Sequence, residues 1–427
     1  MNVLFIGTRA PYGSMHGHKM GMRTYLKALQ SLGHKVVLAA FSVPGDIFDQ
    51  SAEDLGIETH YLPMPSFGRF ARNVAREVVF GRKSINECLY QHPNVQSRIH
   101  KLCAQHQIDF VVADMIRTAP YAEATGRPWI IDHEDLLSER YAAWTENATG
   151  DENILGLFNN MIPASLRPFA VSLFRKALRF ESNRMADREL YWSDRAYANS
   201  LRSLDETDQL GRLTRKPVFQ MPVSVPIPTQ TAAALGQRPM SAVFIGMLTY
   251  QPNLDALRAY VRDVLPALDK ASVEPPQLYV IGKAPEELRA TAEHRSITYL
   301  GYVPNLYGEL LRHQVFFAPI VSGTGIKTKV IEAMAGGLPT IGLPAAFAGL
   351  AGGHGEHYLV AKNGKEFSEH YVRLRDNAEL GRKLAANGRA LAIDLYSFDA
   401  ARRILDNGLR PVLPGAIPSA REVEHSI

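Results

Sequence analysis

Short apolar runs alternate along the chain with glycine-rich turns and with stretches in which apolar residues recur at helical spacing. The apolar run at residues 3–6 precedes a glycine-rich loop, a predicted helix at 22–32 and a second apolar run at 36–41. This strand–helix–strand order predicts parallel sheets covered by helices, which is an α/β fold. Further strands are predicted at 59–62, 109–114, 129–132, 195–200, 242–246, 277–282, 297–301, 315–320 and 338–343.

A proline-rich stretch divides the chain into two parts. Residues 217–239 contain several prolines separated by threonines and alanines, a composition typical of a linker. We therefore predict an N-terminal domain at 1–215, a linker at 216–239 and a second domain at 240–395. A final helix at 396–410 and a disordered tail at 411–427 complete the prediction.

The segment 317–350 has the features of an anion-binding site. A predicted strand breaks at Ser322, Gly323, Thr324 and Gly325, and a helix is predicted to begin near Lys327 and to stop at 336–337. The free N–H groups and the dipole at a helix N-terminus favour a phosphate. We expect Thr324 to cap this helix and Gly325 to let a ligand approach the backbone. A cation in the first turn, such as Lys327, is unfavourable for the helix unless an anion binds there.

Lys329 and Glu332 are three residues apart and share one face of this predicted helix. A carboxylate that faces a nucleotide can grip the ribose hydroxyls. The alternative is a solvated surface ion pair, which is the commoner fate of such residues. For the two residues alone we favour the ion pair. With Gly323, Thr324 and Gly325 directly in front of the helix, we favour the ligand site.

The sequence from Gly323 to Gly342 resembles the donor-binding segment of retaining glycosyltransferases of family 4, which have the GT-B fold. The resemblance implies two Rossmann-like α/β domains facing across a cleft, with the final helix crossing back to the first domain. It implies that Lys327 and Lys329 contact the donor diphosphate and that Glu332 holds the ribose. Many members have a glutamate near the donor sugar where this chain has Thr324, so the identity of the sugar stays open.

Other stretches carry the same resemblance. Residues 246–255, with Gly246 and Asn253, are similar to the family's first strand–helix turn of the donor domain, and residues 301–304 to its loop against the base. The loop with Gly13, Gly17 and His18 resembles the family's loop near the donor phosphates and the acceptor. Its glycine spacing does not fit the dinucleotide fingerprint. For His18, plain solvation in a loop is the alternative.

A polar cluster follows the predicted strand at 129–132. Ligands gather at the carboxyl ends of strands in such sheets, so Asp132, His133, Glu134 and Asp135 are candidates for a site. The phrase resembles the family's strand-end motif with a histidine beside the donor sugar and the acceptor hydroxyl. This match makes His133 the catalytic candidate, with Asp132 or Asp135 as its orienting partner. A metal site is the weaker interpretation, because neighbouring strand residues point to opposite faces, and a plain loop histidine is the structural alternative.

Composition excludes several classes of protein. The 427 residues carry a net charge of only +4, which gives no global signal for nucleic acid, and the two cysteines give neither a disulfide framework nor a metal spacing. We therefore expect reduced cysteines in a cytoplasmic protein. No run is long enough to span a bilayer, so we expect a soluble or peripheral protein. Residues 69–83 alternate basic and apolar residues. They predict either a helix on the inner face of the membrane or an ordinary helix with solvated charges.

The resemblance implies a metal-independent hexosyltransferase without a cofactor. The expected donor is a UDP- or GDP-linked sugar, and the expected acceptor is a hydroxyl of a sugar, a lipid-linked molecule or another compound. Cell-envelope or exopolysaccharide biosynthesis is the expected pathway. A nucleotide-sugar epimerase of the same fold and an inactive nucleotide-binding subunit are the alternatives, and Thr324 keeps the second one open.

Overall fold

The computed structural model describes residues 1–13, 17–43, 55–147, 167–230, 241–323 and 325–411, and for 143–147, 167–175 and 177 it describes the backbone alone. The chain divides into two compact units. The first comprises Met1–Met221 together with the chain from Arg402 on, and the second comprises Pro222–Ala401. Residues 231–239 of the predicted linker and the predicted tail after 411 lie outside the described residues.

The first unit is built on a seven-stranded parallel sheet with the order β3-β2-β1-β4-β5-β6-β7. The direction in which strands are added reverses between β1 and β4. Such a reversal leaves a crevice at the carboxyl ends of the strands, where ligands bind in this class of sheet. The strands are β1 (Asn2–Gly7), β2 (Lys35–Phe41), β3 (Glu58–Leu62), β4 (Phe110–Asp114), β5 (Trp129–Glu134), β6 (Asn199–Leu201) and β7 (Val218–Gln220).

Both faces of this sheet are covered, so its inner strands are almost wholly apolar and buried. The rings of Trp129 on β5 and Trp192 on the helix Arg167–Arg195 pack 6.3 Å apart. Phe219 on β7 packs against Gly408 of the last helix so closely that a β-carbon there would lie 2.7 Å from the ring. The helices are Gly17–Ser31, Phe67–Val74, Ile85–Cys88, Pro93–Gln105, Ala119–Glu123, Leu137–Asn147, Arg167–Arg195, Leu204–Leu213 and, from Arg402 on, the last helix Phe398–Leu409.

The second unit repeats the plan with a six-stranded parallel sheet of order β10-β9-β8-β11-β12-β13. The order reverses here between β8 and β11. The strands are β8 (Ser241–Ile245), β9 (Gln277–Ile281), β10 (Ile297–Gly301), β11 (Val315–Ala318), β12 (Thr340–Gly342) and β13 (Leu359–Val360). The helices are Gln251–Ala259, Leu265–Lys270, Glu286–Arg289, Leu306–Leu310, Thr328–Ala335, Pro344–Phe347, Gly364–Asp376 and Ala378–Tyr396.

Aromatic packing fixes β11 in the core of the second unit. The ring of Phe317 lies 5.9 Å from Tyr260, 5.0 Å from Phe367 and 5.8 Å from Tyr371. These are edge-to-face and tilted contacts, the favourable arrangements for aromatic pairs. The strand that precedes the glycine loop is therefore rigidly held, and the loop starts from a fixed point.

The α/β class with two parallel sheets is confirmed, whereas several boundaries differ from the prediction. No strand begins at Arg195, because the long helix continues through that residue and β6 starts only at Asn199. The helix expected at 22–32 begins at Gly17 and buries Lys19, whose Nζ donates to the Tyr12 carbonyl over 2.8 Å. Leu338 does not join β12, since its N–H closes the preceding helix on the Ala333 carbonyl over 3.0 Å.

The basic and apolar stretch of the first unit forms the helix Phe67–Val74, continued by a π-helical turn Ala75–Val79. The α-helical part buries no residue. Phe67, Val79 and Phe80 are 83%, 68% and 88% exposed. Within the described part of the chain, no helix combines the length and the apolar character that crossing a bilayer requires.

Candidate functional site

Two glycines form the floor of a site at the carboxyl ends of β8 and β9. The Gly246 N–H donates to the Ile281 carbonyl over 2.7 Å. A β-carbon on Gly246 would lie 2.7 Å from the Asn253 side chain, and one on Gly282 would lie 2.6 Å from the Gly246 carbonyl. Gly282 also has a φ of +132°, which only glycine adopts readily. The strand ends therefore meet backbone to backbone. The sequence analysis did not name Gly282, although a glycine that ends an apolar run was the available signal.

The glycine loop after β11 leads into the helix Thr328–Ala335. Gly323 and Gly325 have φ values of +107° and +70°, and their positions require glycine. Thr324 lies outside the described residues. The N-cap position falls on Lys327, whose side chain makes no capping hydrogen bond, and the cap expected at Thr324 stays a prediction.

Lys327 closes over this loop. Its Nζ donates to the carbonyls of Gly323 and Gly325 over 3.0 and 2.6 Å. The ammonium group thus lies at the N-terminus of the helix, where the unpaired N–H groups and the helix dipole already provide positive potential. Cation and helix terminus together suit an anionic ligand.

Lys329 is enclosed rather than solvated. Its Nζ donates to Oδ1 of Asn253 and lies 4.9 Å from the centre of the Phe244 ring. The Asn253 amide in turn donates to the Met247 carbonyl over 2.8 Å, which fixes its orientation. Burial lowers the pKa of Lys329 to about 7, although Glu332 acts in the opposite direction. The site therefore holds an ammonium group that an anion would stabilise.

Glu332 shares this enclosed face of the helix. Burial raises the pKa of its carboxyl group, against the effect of Lys329. The structure thus brings together Gly246, Asn253 and Lys329, and Glu332 interacts electrostatically with Lys329. Both charged residues are partly buried, so the fully solvated surface pair is not observed. Tyr302 follows Gly301, the last residue of the edge strand β10, and is 84% exposed.

A second polar cluster lies at the carboxyl ends of strands in the first unit. Asp114 ends β4 and accepts hydrogen bonds from the N–H and hydroxyl groups of Thr8 over 2.7 and 2.5 Å. Its other oxygen lies 3.0 Å from Nε2 of His18. Burial alone would raise the pKa of Asp114, but His18 and Thr8 hold it below its ordinary value. The carboxylate is charged and fixed.

Glu134 completes this cluster from the end of β5. Its Oε2 lies 3.2 Å from Nε2 of His18. Burial raises the pKa of Glu134 to about 7, although His18 opposes the shift. Glu134 has a φ of +64° and Met115, which follows β4, has a φ of +63°. Such backbone conformations are costly for residues other than glycine and concentrate at functional sites.

Asp132 lies on the same face of β5 and is held from the next strand. Arg202 donates to it over 2.6 Å and the Ser200 hydroxyl over 2.9 Å. A β-carbon on Gly21 would lie 2.6 Å from Nε of Arg202, so this glycine makes room for the guanidinium group. The Asp132–Arg202 pair is buried and connects β5 to the helix Gly17–Ser31.

His133 points to the opposite face of β5, as strand alternation dictates. It is 1% exposed, and its Nε2 bonds with Asn199 and with the Ser193 hydroxyl over 3.1 and 3.0 Å. Burial lowers its pKa to about 4. Asp132 bonds to Arg202 and Asp135 bonds to Arg140, so the prediction that one of them orients His133 is wrong. The catalytic role of His133 stays a prediction, and the structure places its ring in the core.

The structure brings His18 to the strand ends, whereas Gly13 and Gly17 flank residues 14–16, which are not described. The solvated-loop alternative for His18 does not hold, because its ring contacts two carboxylates. Asp114 and Glu134 were missed as partners of His18. Each is an acidic residue at the end of a strand, but the parallel pairing of these strands, with Asp114 beside Asp132, is known only from the structure.

Comparisons with known proteins agree with this architecture. Residues 240–377 match the family described as Glycosyl transferases group 1. An uncharacterized 44.6 kDa protein in the cps region of Klebsiella pneumoniae is 22% identical over 412 residues, covering 92% of this chain and 96% of that protein.

Solved structures share the fold at low sequence identity. Anabaena Alr3699/HepE in complex with UDP is 13% identical with a TM-score of 0.62, covering 96% of this chain and 99% of that one. Sucrose-phosphate synthase from Thermosynechococcus elongatus is 14% identical with a TM-score of 0.60, covering 96% and 98%. The lipopolysaccharide outer core galactosyltransferase WaaB is 12% identical with a TM-score of 0.59, covering 96% and 99%. The chain therefore has the two-unit α/β fold of GT-B glycosyltransferases. With the family match in the second unit, this fold supports a glycosyltransferase.

Proposed function

We propose that this protein is a retaining glycosyltransferase of family 4 that moves a sugar from a nucleoside diphosphate sugar to an acceptor hydroxyl. The observation that carries the proposal is the anion site of the second unit. Lys327 and Lys329 lie at one helix N-terminus, above strand ends that leave room only for glycine at positions 246 and 282. A diphosphate matches this arrangement in charge and in its need for close backbone approach.

The other groups of the second unit suit the rest of the donor. The Glu332 carboxylate accepts hydrogen bonds from the ribose hydroxyls, and the exposed ring of Tyr302 lies beside the base. UDP in the complex of the similar Anabaena protein favours a uridine donor, and GDP remains the alternative. The transferred sugar is a hexose.

Transfer requires little side-chain chemistry. Negative charge develops on the leaving diphosphate, and Lys327, Lys329 and the helix N-terminus stabilise it because they are already oriented. The departing phosphate oxygen takes the acceptor proton, and no metal ion is required. In the first unit, His18 and Glu134 bind the acceptor through hydrogen bonds to its hydroxyl groups.

The acceptor belongs to an exopolysaccharide or cell-envelope glycan, as the similar protein from a cps region supports. The enzyme works in the cytoplasm at the inner face of the membrane. The membrane contact is the surface formed by Phe67, Val79 and Phe80, whose rings and methyl groups are exposed. Arg69, Arg72 and Arg76 line an adjacent cavity of about 380 Å³ and complement anionic lipid headgroups.

Vesicle sedimentation tests the membrane contact. Phe67→Ser with Phe80→Ser should release the protein from vesicles that contain anionic lipid, while Tyr250→Ser, an exposed aromatic in the second unit, should not. Unchanged sedimentation of the double variant would remove this surface from the proposal.

A thermal-shift screen with UDP, GDP, ADP, CDP and dTDP, without added metal, tests the donor site. A nucleotide at about a hundred times its dissociation constant adds roughly 2.7 kcal/mol of stability. We expect UDP or GDP to raise Tm in the wild type and not in Lys327→Ala. If none of the five nucleotides shifts Tm, the donor-site assignment fails. Product analysis of the matching nucleotide sugar by mass spectrometry then separates transfer from epimerisation, since only an epimerase changes the sugar without an acceptor.

A further inference from the structure

Three potential metal ligands converge at the edge of the first sheet, at the opposite ends of the strands from the His18 cluster. Glu58 and His60 lie two residues apart near the start of β3, so they share one face of that edge strand. His106 lies at the C-terminus of the helix Pro93–Gln105 and reaches the same point. One ligand atom from each residue lies within 4.8 Å of those of the other two.

The distances suit a small tetrahedral ion. Nε2 of His60 lies 2.9 Å and Nε2 of His106 lies 3.4 Å from Oε1 of Glu58. With zinc–nitrogen bonds of about 2.0–2.1 Å, the ligand atoms of a tetrahedral zinc site are separated by about 3.4 Å. Small side-chain adjustments would therefore place all three atoms on one ion and leave its fourth position to water.

Hydrogen bonds among the three residues do not account for the buried ring nitrogen of His106. Its side chain is 8% exposed, and its Nε2 makes no hydrogen bond among the described residues. A buried ring nitrogen that makes no hydrogen bond and has only the Glu58 carboxylate 3.4 Å away is not fully satisfied, and a metal ion bound to both groups would satisfy it. The residue is also held in place, because its carbonyl accepts from the Asn2 amide over 2.9 Å and its N–H donates to Leu102 over 3.0 Å.

We propose that Glu58, His60 and His106 form a Zn²⁺ site that ties the edge strand β3 to the helix Pro93–Gln105. Zinc binds imidazole nitrogens and carboxylate oxygens, and two imidazoles with one carboxylate are a known set of zinc ligands. The ion would tie the edge strand to the end of the neighbouring helix, and it would take no part in sugar transfer. The proposal does not depend on the glycosyltransferase activity.

The test uses the untagged full-length chain after treatment with a chelator, titrated with Zn²⁺ by calorimetry and with Co²⁺ by visible absorption. We expect one equivalent of Zn²⁺ to bind, Co²⁺ to give the strong absorption of a tetrahedral site, and Zn²⁺ to raise Tm. His60→Ala and Glu58→Gln should each weaken binding at least tenfold and abolish the rise in Tm. Both residues are partly exposed, so the variants should fold.

His100→Ala is the matched control, because His100 is an exposed histidine on the same helix outside the trio. Its variant should bind zinc as the wild type does. Binding that persists at full strength in His60→Ala would assign the ion to other residues, the buried Cys88 and Cys103 included. Either that result or the absence of saturable binding at micromolar Zn²⁺ overturns the proposal.

Discussion

The Nε2 atom of His18 lies 3.2 Å from Oε2 of Glu134, so one imidazole connects a helix N-terminus to the end of β5. Burial alone would lower the pKa of His18, but Asp114 and Glu134 raise it above its ordinary value. Burial raises the pKa of Glu134 to about 7. His18 and Glu134 therefore favour each other's charged forms at the carboxyl ends of the strands, where ligands of this fold class gather.

Replacement of His18 or of His133 by alanine distinguishes a functional role from a structural one. His18→Ala should leave the fold intact and lower turnover by roughly 10²-fold, the usual loss for a group that exchanges protons or binds the reacting hydroxyl. His133→Ala should lower the free energy of unfolding by about 1–3 kcal/mol, because it leaves Asn199 and Ser193 without a buried partner. Urea unfolding and the initial rate of sugar transfer measure the two effects. A stable His133→Ala variant without turnover would instead restore the catalytic role predicted from the sequence.

Removal of Lys327 should weaken nucleoside diphosphate binding by roughly 2–4 kcal/mol, the range for loss of one partner of a charge-assisted contact. Titration calorimetry with the nucleotide selected by the thermal-shift screen measures the change. Lys383→Ala is the control, since Lys383 is an exposed lysine of the same unit. Equal affinities of wild type and Lys327→Ala would place the diphosphate elsewhere.

Glu332→Gln should distinguish the ribose from the diphosphate. The substitution removes a charged acceptor for the ribose hydroxyls, so nucleoside diphosphate affinity should fall by about 1.5–3 kcal/mol. Inorganic pyrophosphate lacks a ribose, and its affinity should not fall. Calorimetry with both ligands on the same variant makes the comparison internal. Parallel losses for the two ligands would mean that Glu332 acts on the site through Lys329 and not on the ribose.

Lys329 should make donor binding depend on pH. Its pKa of about 7 leaves the amine largely neutral at pH 8 in the free protein. Because a bound diphosphate favours the ammonium form, binding at pH 8 should take up a proton, and affinity should fall as pH rises above 7. Calorimetry in buffers of different ionisation enthalpy counts that proton. Lys329→Met should bind more weakly and without this proton uptake, whereas unchanged uptake would assign the proton to another group.

The same lowered pKa affects stability in a defined direction. In the unfolded chain Lys329 keeps its proton up to its ordinary pKa of 10.5, while the folded chain loses it above about 7. The unfolded state thus binds more protons in this interval, so the Lys329 contribution makes stability rise with pH. A comparison of the Tm of the wild type and Lys329→Met between pH 7 and 10 isolates this contribution. A wild type that gains no stability relative to the variant contradicts the shift.

Apolar runs and glycines predicted most of the fold, because the parallel strands are buried on both faces and read as continuous apolar segments. Lys327, Lys329 and Glu332 are close in sequence and lie at the start of one helix or within it. The local sequence pattern was therefore sufficient to predict that they share this helix. The first-unit cluster was different. Asp114 and His18 are 96 residues apart and meet only through strand order, which single-sequence patterns do not provide.

His133 and its neighbour Glu134 lie on opposite sides of β5. One residue further along a strand reverses the side to which a side chain points, so Glu134 reaches His18 while His133 enters the core. The bend that aims Glu134 depends on its positive φ, which no residue preference of glutamate predicts. The sequence located the end of the strand, but it did not show on which side of the sheet each side chain lies.

The first unit is not a continuous stretch of sequence, since it includes the chain from Arg402 on and packs Gly408 against Phe219. The second unit is a single uninterrupted segment. The first unit therefore cannot be completed until the chain from Arg402 on has been synthesised, although most of its residues come first in the sequence. A nascent chain stalled before residue 402 would leave the ring of Phe219 without its contact to Gly408.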